Sequence, residues 1–294
     1  MIHHISEIKA DSAGNARLLA FGDLQSDADG FLNEAFDQFM DEMKKPNTAA
    51  LGLGDYGDWM RPTMRARLGV ALSGDDSTRR QLDNMVRREQ DKLLNKMRGL
   101  EGKLIGVHTG HHCHEFADGT NSDQRLACAL KAPYLGWMAT TRLLVKKHRT
   151  DDEKGAYAYT IVSTHGSCNS RKTGGAATWT EDNLVRAWIA DQYILGHCCK
   201  GISWVPHERN LVRRRGPAGI ETTLPRCLQV PGFHSGYAEN GGYVERNAFP
   251  PQPAGWGEIK LKITSSKAAA ALGGLKNPKS ERLIIEQHVR YFEK

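Results

Sequence analysis

The sequence has no long apolar run. None of its stretches approaches the roughly 18–20 residues that a membrane-spanning helix needs, so no membrane partner is expected. The opening Met1-Ile2-His3-His4-Ile5 has no basic segment followed by an apolar one. No secretory leader is therefore expected, and the cytoplasm is the default location. There is no Cys-x-x-Cys pair among Cys113, Cys128, Cys168, Cys198, Cys199 and Cys227, which argues against a zinc ribbon. In a reducing compartment these six are expected as mostly free thiols, with Cys128 and Cys227 serving as buried packing. A Gly-x-Ser-x-Gly elbow and a Walker loop are also missing.

What is present fits a soluble α/β chain. The 294 residues are 39% hydrophobic and 25% charged, and include 30 glycines, which suits a loop-rich layered fold. The length allows one large domain with a packed core. The net charge of +6 favours an anionic partner without naming it. Arg79, Arg80, Arg87, Arg88 and Lys92 recur through one expected helix, residues 146–149 form a short basic run, and Arg213, Arg214 and Arg215 form a triple. Each reads first as a solvated face, so nucleic-acid binding is permitted by the charge and not required by it.

One pattern repeats. Short β-prone runs end in glycine plus a polar residue able to bind metal. Residues 16–21 end in Gly22-Asp23, and residues 48–53 end in Gly54-Asp55. Residues 103–107 lead to Gly110-His111-His112, residues 157–162 to His165-Gly166, and residues 192–195 to Gly196-His197. Helical periodicity fills the intervals at residues 28–43, 78–97, 122–130 and 180–190, with Ser122 and Thr180 as expected N-caps. Alternating strand and helix predicts an α/β fold, in which functional groups gather beyond the carboxyl ends of strands. After residue 200 short strands are expected at 202–205, 211–213, 221–223 and 259–263, with a proline-rich connector at 249–253. Residues 1–265 are read as one domain and 266–294 as a loosely packed basic tail. Tyr134, Trp137, Trp179 and Trp188 are read as core residues in preference to base-stacking platforms.

The five strand ends deliver Asp23, Gln25, Asp55, Asp58, His111, His112, His165, His197 and Cys199. Carboxylate, imidazole, amide oxygen and thiolate together are a donor set for a pair of divalent ions. Two ions ~4 Å apart, sharing one carboxylate, can hold a hydroxide nucleophile between them. A neighbouring histidine can protonate the leaving oxygen. Asp58 is placed to accept a hydrogen bond from such a histidine. Arg171 and Lys172, in the loop after His165, are candidates for binding a substrate phosphate. Gly52-Leu53-Gly54-Asp55-Tyr56-Gly57 also fits a dinucleotide fingerprint. A fixed carboxylate inside the turn and Pro62 soon after it argue against that use.

The order of these motifs resembles the calcineurin-like metallophosphoesterase superfamily. That family runs Asp-x-His, Gly-Asp-x-x-Asp, Gly-Asn-His, a histidine after a strand, then Gly-His-x-His. This chain reads Asp23-Leu24-Gln25, Gly54-Asp55-Tyr56-Gly57-Asp58, Gly110-His111-His112, Thr164-His165-Gly166 and Gly196-His197-Cys198-Cys199. Residues 237–256 look like the C-terminal part of bacteriophage-type members, which would place the chain in a host cytoplasm. The resemblance implies a four-layer αββα sandwich of two mixed β-sheets flanked by helices. It implies that Asp23, Gln25, Asp55 and Cys199 hold one divalent ion, that His111, His165 and His197 hold a second, and that Asp55 bridges them. It implies His112 as the catalytic histidine.

Three departures stand out: Gln25 and Cys199 replace histidines, and His111 replaces asparagine. A thiolate ligand shifts the expected ion from Mg²⁺ towards Zn²⁺ or Fe²⁺, with Mn²⁺ also expected from the activity. Spacing favours Cys199 over Cys198 as that ligand. The function expected is hydrolysis of phosphoester bonds, as a phosphodiesterase or nuclease acting on a nucleic acid or nucleotide. A protein phosphatase is a second reading, and a non-catalytic or single-metal binding module on the same fold is a third.

Overall fold

The computed structural model describes residues 1–59, 76–147, 156–168, 170, 172–206, 209–213, 219–223, 225–235, 252–264 and 282–292. Arg171, Arg214, Arg215, the connector at 249–251, most of 237–256 and the Ala-rich segment 267–272 lie outside them.

Alternation in the strands builds the layers. In β2 (Asn15–Phe21), Leu18 and Ala20 join one buried cluster while Leu19 and Phe21 join another. In β3 (Thr48–Gly52), Ala49 and Leu51 face the first cluster and Ala50 the second. Side chains in a strand point alternately to opposite faces, so a strand apolar at every position must be covered on both sides. With β4 (Leu104–His108) and β5 (Tyr134–Gly136) these strands pair in parallel, in the order β2-β3-β4-β5. Beyond β2 lie β13 (Gly255–Thr264) and then β14 (Arg282–Tyr291), both antiparallel to their neighbours.

A second sheet has the order β1-β6-β7-β8-β12-β9. Its strands are β1 (Ile2–Lys9), β6 (Met138–Lys146), β7 (Ala156–Thr164), β8 (Gln192–Leu195), β9 (Ile202–Trp204) and β12 (Arg226–Gln229). It too is mixed: β7, β8 and β12 run parallel, while β6 and β9 oppose their neighbours β7 and β12. A hairpin of β10 (Arg209–Arg213) and β11 (Gly219–Thr223) forms a separate two-stranded sheet.

The apolar residues of the two sheets meet in one core containing Leu51, Ile105, Leu143, Ile161, Ile194 and Leu228. On the outer face of the first sheet pack α1 (Asn33–Lys44), α2 (Asp76–Met97) and α3 (Ser122–Ala129), through Phe36, Phe39, Leu93 and Leu126. On the outer face of the second sheet, α4 (Thr173–Thr180) runs into a π-helical turn, Glu181–Val185, which seats Leu184 and Val185 against Tyr193 and Leu195. The order is helix, sheet, sheet, helix. The fold is the expected α/β sandwich of two mixed sheets flanked by helices.

Several local expectations give way. The first helix begins at Asn33, not residue 28, because Phe31 is taken into a β-bridge with His234. The cap of α3 is Asn121, one residue before Ser122: its side chain accepts from Gln124 N–H while Gln124 answers to Asn121 N–H, a reciprocal capping box. Thr180 does not start a helix. It lies at the end of α4, and its hydroxyl is turned back onto the Ala176 carbonyl at 2.9 Å. The segment after residue 265 is not wholly a loose tail, since β14 pairs along its full length with β13. Cys128 is exposed while Cys227 is buried, and none of the six cysteines is in a disulfide. Trp137 is 53% exposed and Trp188 37%, so neither is a core residue. Two of the cations expected on the basic helix are matched by acids: Arg87 pairs with Asp118 at 3.1 Å and Lys92 with Glu89 at 2.7 Å. Among the described residues, no helix is long and apolar enough to cross a membrane.

Candidate metal centre

Parallel pairing places the carboxyl ends of β2, β3 and β4 along one edge of the first sheet, and those of β7 and β8 along one edge of the second. The loops leaving these ends meet. Leu53 N–H donates to the Phe21 carbonyl (2.8 Å), Asp23 N–H to Gly54 (3.0 Å) and Gln25 N–H to Asp55 (2.9 Å), so the first two loops are laced together. Gly110 lies so close to Asp55 that a β-carbon there would stand 2.1 Å from the Asp55 nitrogen, and only glycine permits that approach. The second sheet joins through His197 N–H, which donates to Asp23 Oδ2 at 2.8 Å, and through His165 Nδ1, 2.8 Å from the Leu53 carbonyl.

The donor atoms of Asp55, His111, His165 and His197 lie within 4.8 Å of one another, the separation of ligands around one ion. A carbonyl oxygen only accepts, so His165 Nδ1 carries a hydrogen and Nε2 is turned to the site. That Nε2 is buried and lies 3.1 Å from Asp55 Oδ2. His111 Nδ1 and His197 Nδ1 face each other at 3.2 Å. Two imidazole nitrogens and a carboxylate gathered around a buried imidazole nitrogen fit a divalent cation. The backbone is strained at the same place. Asp23 (φ 51°), Gln25 (42°), Asp55 (54°), His197 (66°) and Cys199 (51°) all have positive φ, five of the eight such non-glycine residues described. Conformations of this kind cost of order 1–3 kcal/mol each and cluster where side chains are aimed for function.

The other expected ligands converge less. Gln25 Nε2 faces His112 Nε2 at 3.4 Å, so its amide is turned to the histidine. Cys199 Sγ points to the His197 carbonyl at 3.6 Å and lies beside Asp23. Cys198 turns away, its thiol 2.9 Å from the Cys168 carbonyl. His112 is held at two points. Its N–H donates to Asp55 Oδ1 at 2.8 Å and its Nδ1 lies 2.6 Å from Asp58 Oδ1. Its Nε2 stands 3.9 Å from Asp55 Oδ2. Lys172 is exposed at the start of α4.

The electrostatics show an excess of buried negative charge. Burial raises Asp23 to about 6, opposed by His165 and reinforced by Asp55. Burial would also raise Asp55, but the charge and hydrogen bond of His165, with His112, hold it well below the usual range. Burial would lower His165, yet Asp55 and Asp23 lift it to about 9. A proton on His165 thus supplies positive charge that the carboxylates require. His197 falls to about 4 through burial and the charge of His165, so it stays neutral and able to ligate. Cys199 is held well above the ordinary thiol value by burial and by Asp23 and Asp55. Burial, helped by Cys168, pushes Cys198 up to about 12.

The sequence matches no protein-family model and no curated protein. Solved structures give distant likenesses. A conserved uncharacterized protein of Streptococcus pneumoniae, described as a predicted phosphoesterase, aligns with a TM-score of 0.32 at 11% identity over 85% of this chain and 88% of its own. Vps29 of Entamoeba histolytica complexed with zinc aligns with a TM-score of 0.35 at 10% identity, over 92% of this chain and 98% of that one. A double-mutant form of the same Vps29 gives 0.35 and 10%, over 92% and 99%. Overlap at this level assigns no family.

Three supporting residues carry no sequence signal of their own. Asp27 accepts the N–H groups of Asp58 (2.5 Å) and Trp59 (2.9 Å), fixing the loop that presents Asp58. Asp123, buried and raised to about 7 chiefly by desolvation, accepts Gly110 N–H at 3.0 Å beneath the histidine loop. His108 is fully buried, with Nδ1 2.9 Å from the Gly136 carbonyl and Nε2 2.7 Å from Ser163 Oγ, so it bridges the two sheets.

His108 carries a pH prediction. Burial lowers it from 6.5 to about 4, against the Gly136 hydrogen bond and with help from the charge of His165. Below 6.5 the unfolded chain takes up a proton that the folded chain refuses until about 4. The contribution is therefore fully present above the unfolded value and is lost as pH falls through the folded one, and is worth about 3 kcal/mol at neutral pH. The stability advantage of wild type over His108→Gln, from denaturant unfolding, should shrink steadily from pH 7 to pH 4. A difference that does not vary with pH would contradict this.

Proposed function

We propose that this chain is a metal-dependent hydrolase of phosphoester bonds. The observation that carries the reading is the convergence of Asp55, His111, His165 and His197 on one point. The pair His112–Asp58 is hydrogen-bonded to the same Asp55. A divalent ion bound by those four residues would supply Lewis acidity, lowering the pKa of an attacking water and neutralising phosphoryl oxygens.

The chain's own groups do the rest. Asp58 accepts the Nδ1 hydrogen of His112 and fixes its ring, which aims Nε2 into the site. Attack on phosphorus by a water that has released one proton to solvent breaks the bond to the leaving oxygen, and His112, protonated at both ring nitrogens, gives that oxygen the proton of Nε2. Asp55 holds the His112 backbone and keeps this nitrogen beside the donor group. A second ion would be held by Asp55 with Asp23 and Cys199, after Cys199 gives up its proton and Gln25 turns its amide oxygen inward. Because Cys199 resists losing that proton, the His-rich site would be the first to hold an ion. Zn²⁺ or Fe²⁺ suits the imidazole-rich set, and Mn²⁺ suits its carboxylate. The positive net charge suits an anionic substrate such as a nucleic acid or a nucleotide.

The test is hydrolysis of bis-p-nitrophenyl phosphate by protein loaded with Mn²⁺ or Zn²⁺, with metal content measured on the same sample. Metal-dependent turnover is expected. Retained metal with no turnover on diesters, monoesters or DNA would replace this reading with a single-ion binding module. The orientation of Gln25 and the protonated Cys199 already favour that as second choice.

A further inference from the structure

Among the exposed aromatic side chains described, Trp137 is the most open, at 53% against 42% for Tyr291 and 37% for Trp188. Its ring also meets a ligand candidate: the centroid lies 5.6 Å from that of His111, at 44°. His111 in turn lies 4.6 Å from His197 and 4.9 Å from His165. The indole therefore stands one imidazole's width beyond the donor cluster, with solvent on its outer side.

The position is built. Trp137 is the one residue between β5 and β6, where the chain passes from the first sheet to the second. The Trp137 carbonyl accepts the Thr164 hydroxyl at 2.8 Å, and Thr164 immediately precedes His165. The carbonyl of Gly136 accepts Thr109 N–H at 2.9 Å, two residues before His111. The backbone carrying the indole is thus tied to two of the loops that form the centre. A large apolar ring left half in water, and fixed beside a proposed reaction centre, forgoes burial that a ligand can restore.

We propose that Trp137 is a stacking surface for the base of a nucleoside phosphate, so that the substrate of the centre is a nucleotide or a nucleotide ester. The inference rests on the hydrolase reading and adds its substrate class. The spacing selects the class. In an aryl phosphate the ring is joined to phosphorus through one oxygen, and with phosphate at the donors that ring would lie over His111. A base carried on a sugar extends past His111 and reaches the indole. Stacking on an aromatic side chain tolerates any base, so no base preference is expected.

The experiment is calorimetric binding to Mn²⁺-loaded protein. The probes are inorganic phosphate, the non-hydrolysable phosphonate analogues of adenosine 5′-monophosphate and ribose 5-phosphate, and phenylphosphonate. Wild type should bind the adenosine analogue roughly 10- to 100-fold more tightly than the ribose analogue. Trp137→Ala should abolish that preference and leave phosphate affinity unchanged, and Trp137→Phe should restore most of it. Equal affinity for the two analogues in wild type, a preference that survives in Trp137→Ala, or a preference for phenylphosphonate over the adenosine analogue would overturn the proposal. If phosphate itself fails to bind the loaded protein, the hydrolase reading falls, and this inference with it. If phosphate binds and the base adds nothing, only this inference falls.

Discussion

Asp55→Asn is expected to weaken metal binding by at least about 100-fold, because even groups that only support a ligand cost 10- to 100-fold when removed. Asp55 is the one anionic member of the four-donor group and is 3% exposed. Asparagine keeps the shape and can still accept His112 N–H, now made to Asp55 Oδ1 at 2.8 Å, so the loop should hold. The charge is what disappears. In protein without added metal the same substitution should lower His165 from about 9, since burial would then face little opposition. Metal retention by elemental analysis and the His165 titration by NMR read the two effects separately. An Asp55→Asn protein that keeps its metal would show that the carboxylate is not a ligand.

Removing the His112 side chain should act on rate alone. His112→Ala is expected to lower kcat by about 10²- to 10⁴-fold, the usual contribution of a positioned proton donor. The metal content should stay the same, because His112 is not among the four converging donors. Asp58→Asn should cost less, about 10- to 100-fold, since an amide oxygen can still orient Nδ1 but offers no charge to an imidazolium. Steady-state kinetics on a diester, with metal measured in parallel, distinguishes these outcomes. Loss of metal in His112→Ala, or a change confined to KM, would assign His112 another role.

Much of the architecture was legible because it is written in local pattern. Leu18 to Phe21 and Ala49 to Leu51 are apolar at consecutive positions, which requires strands covered on both faces, and each run is followed by a glycine directly before an aspartate, Gly22-Asp23 and Gly54-Asp55. Parallel pairing then brings Asp23, Asp55 and His111 to one edge without further instruction. What escaped depends on partners distant in sequence. Strands β1 and β6 lack the glycine-and-polar ending, and β14 is recognised only through its pairing with β13. Thr180 looks like a cap by composition, but the preceding residues 173–179 are already helical and its hydroxyl bonds backward. Trp137 has core composition, and only the sheet-to-sheet crossing explains its exposure.

The candidate site divides in the same way. The identities of Asp55, His111, His165 and His197 were readable from their places after strands, and the structure brings these four together. The orientation of Gln25 towards His112, and of Cys198 towards the Cys168 carbonyl, depends on positive-φ turns and neighbouring loops that no spacing rule encodes. Asp27 and Asp123 act on backbone N–H groups of other segments, so their roles exist only in the folded chain.

The most direct test is an anomalous difference map from crystals of the protein grown with Mn²⁺ or Zn²⁺, recorded at the metal edge. The expected result is a strong peak among Asp55, His165, His197 and His111, with any second peak towards Asp23 and Cys199 weaker. Crystals saturated with either ion that show no peak at those four side chains would contradict the metal centre and the hydrolysis built on it.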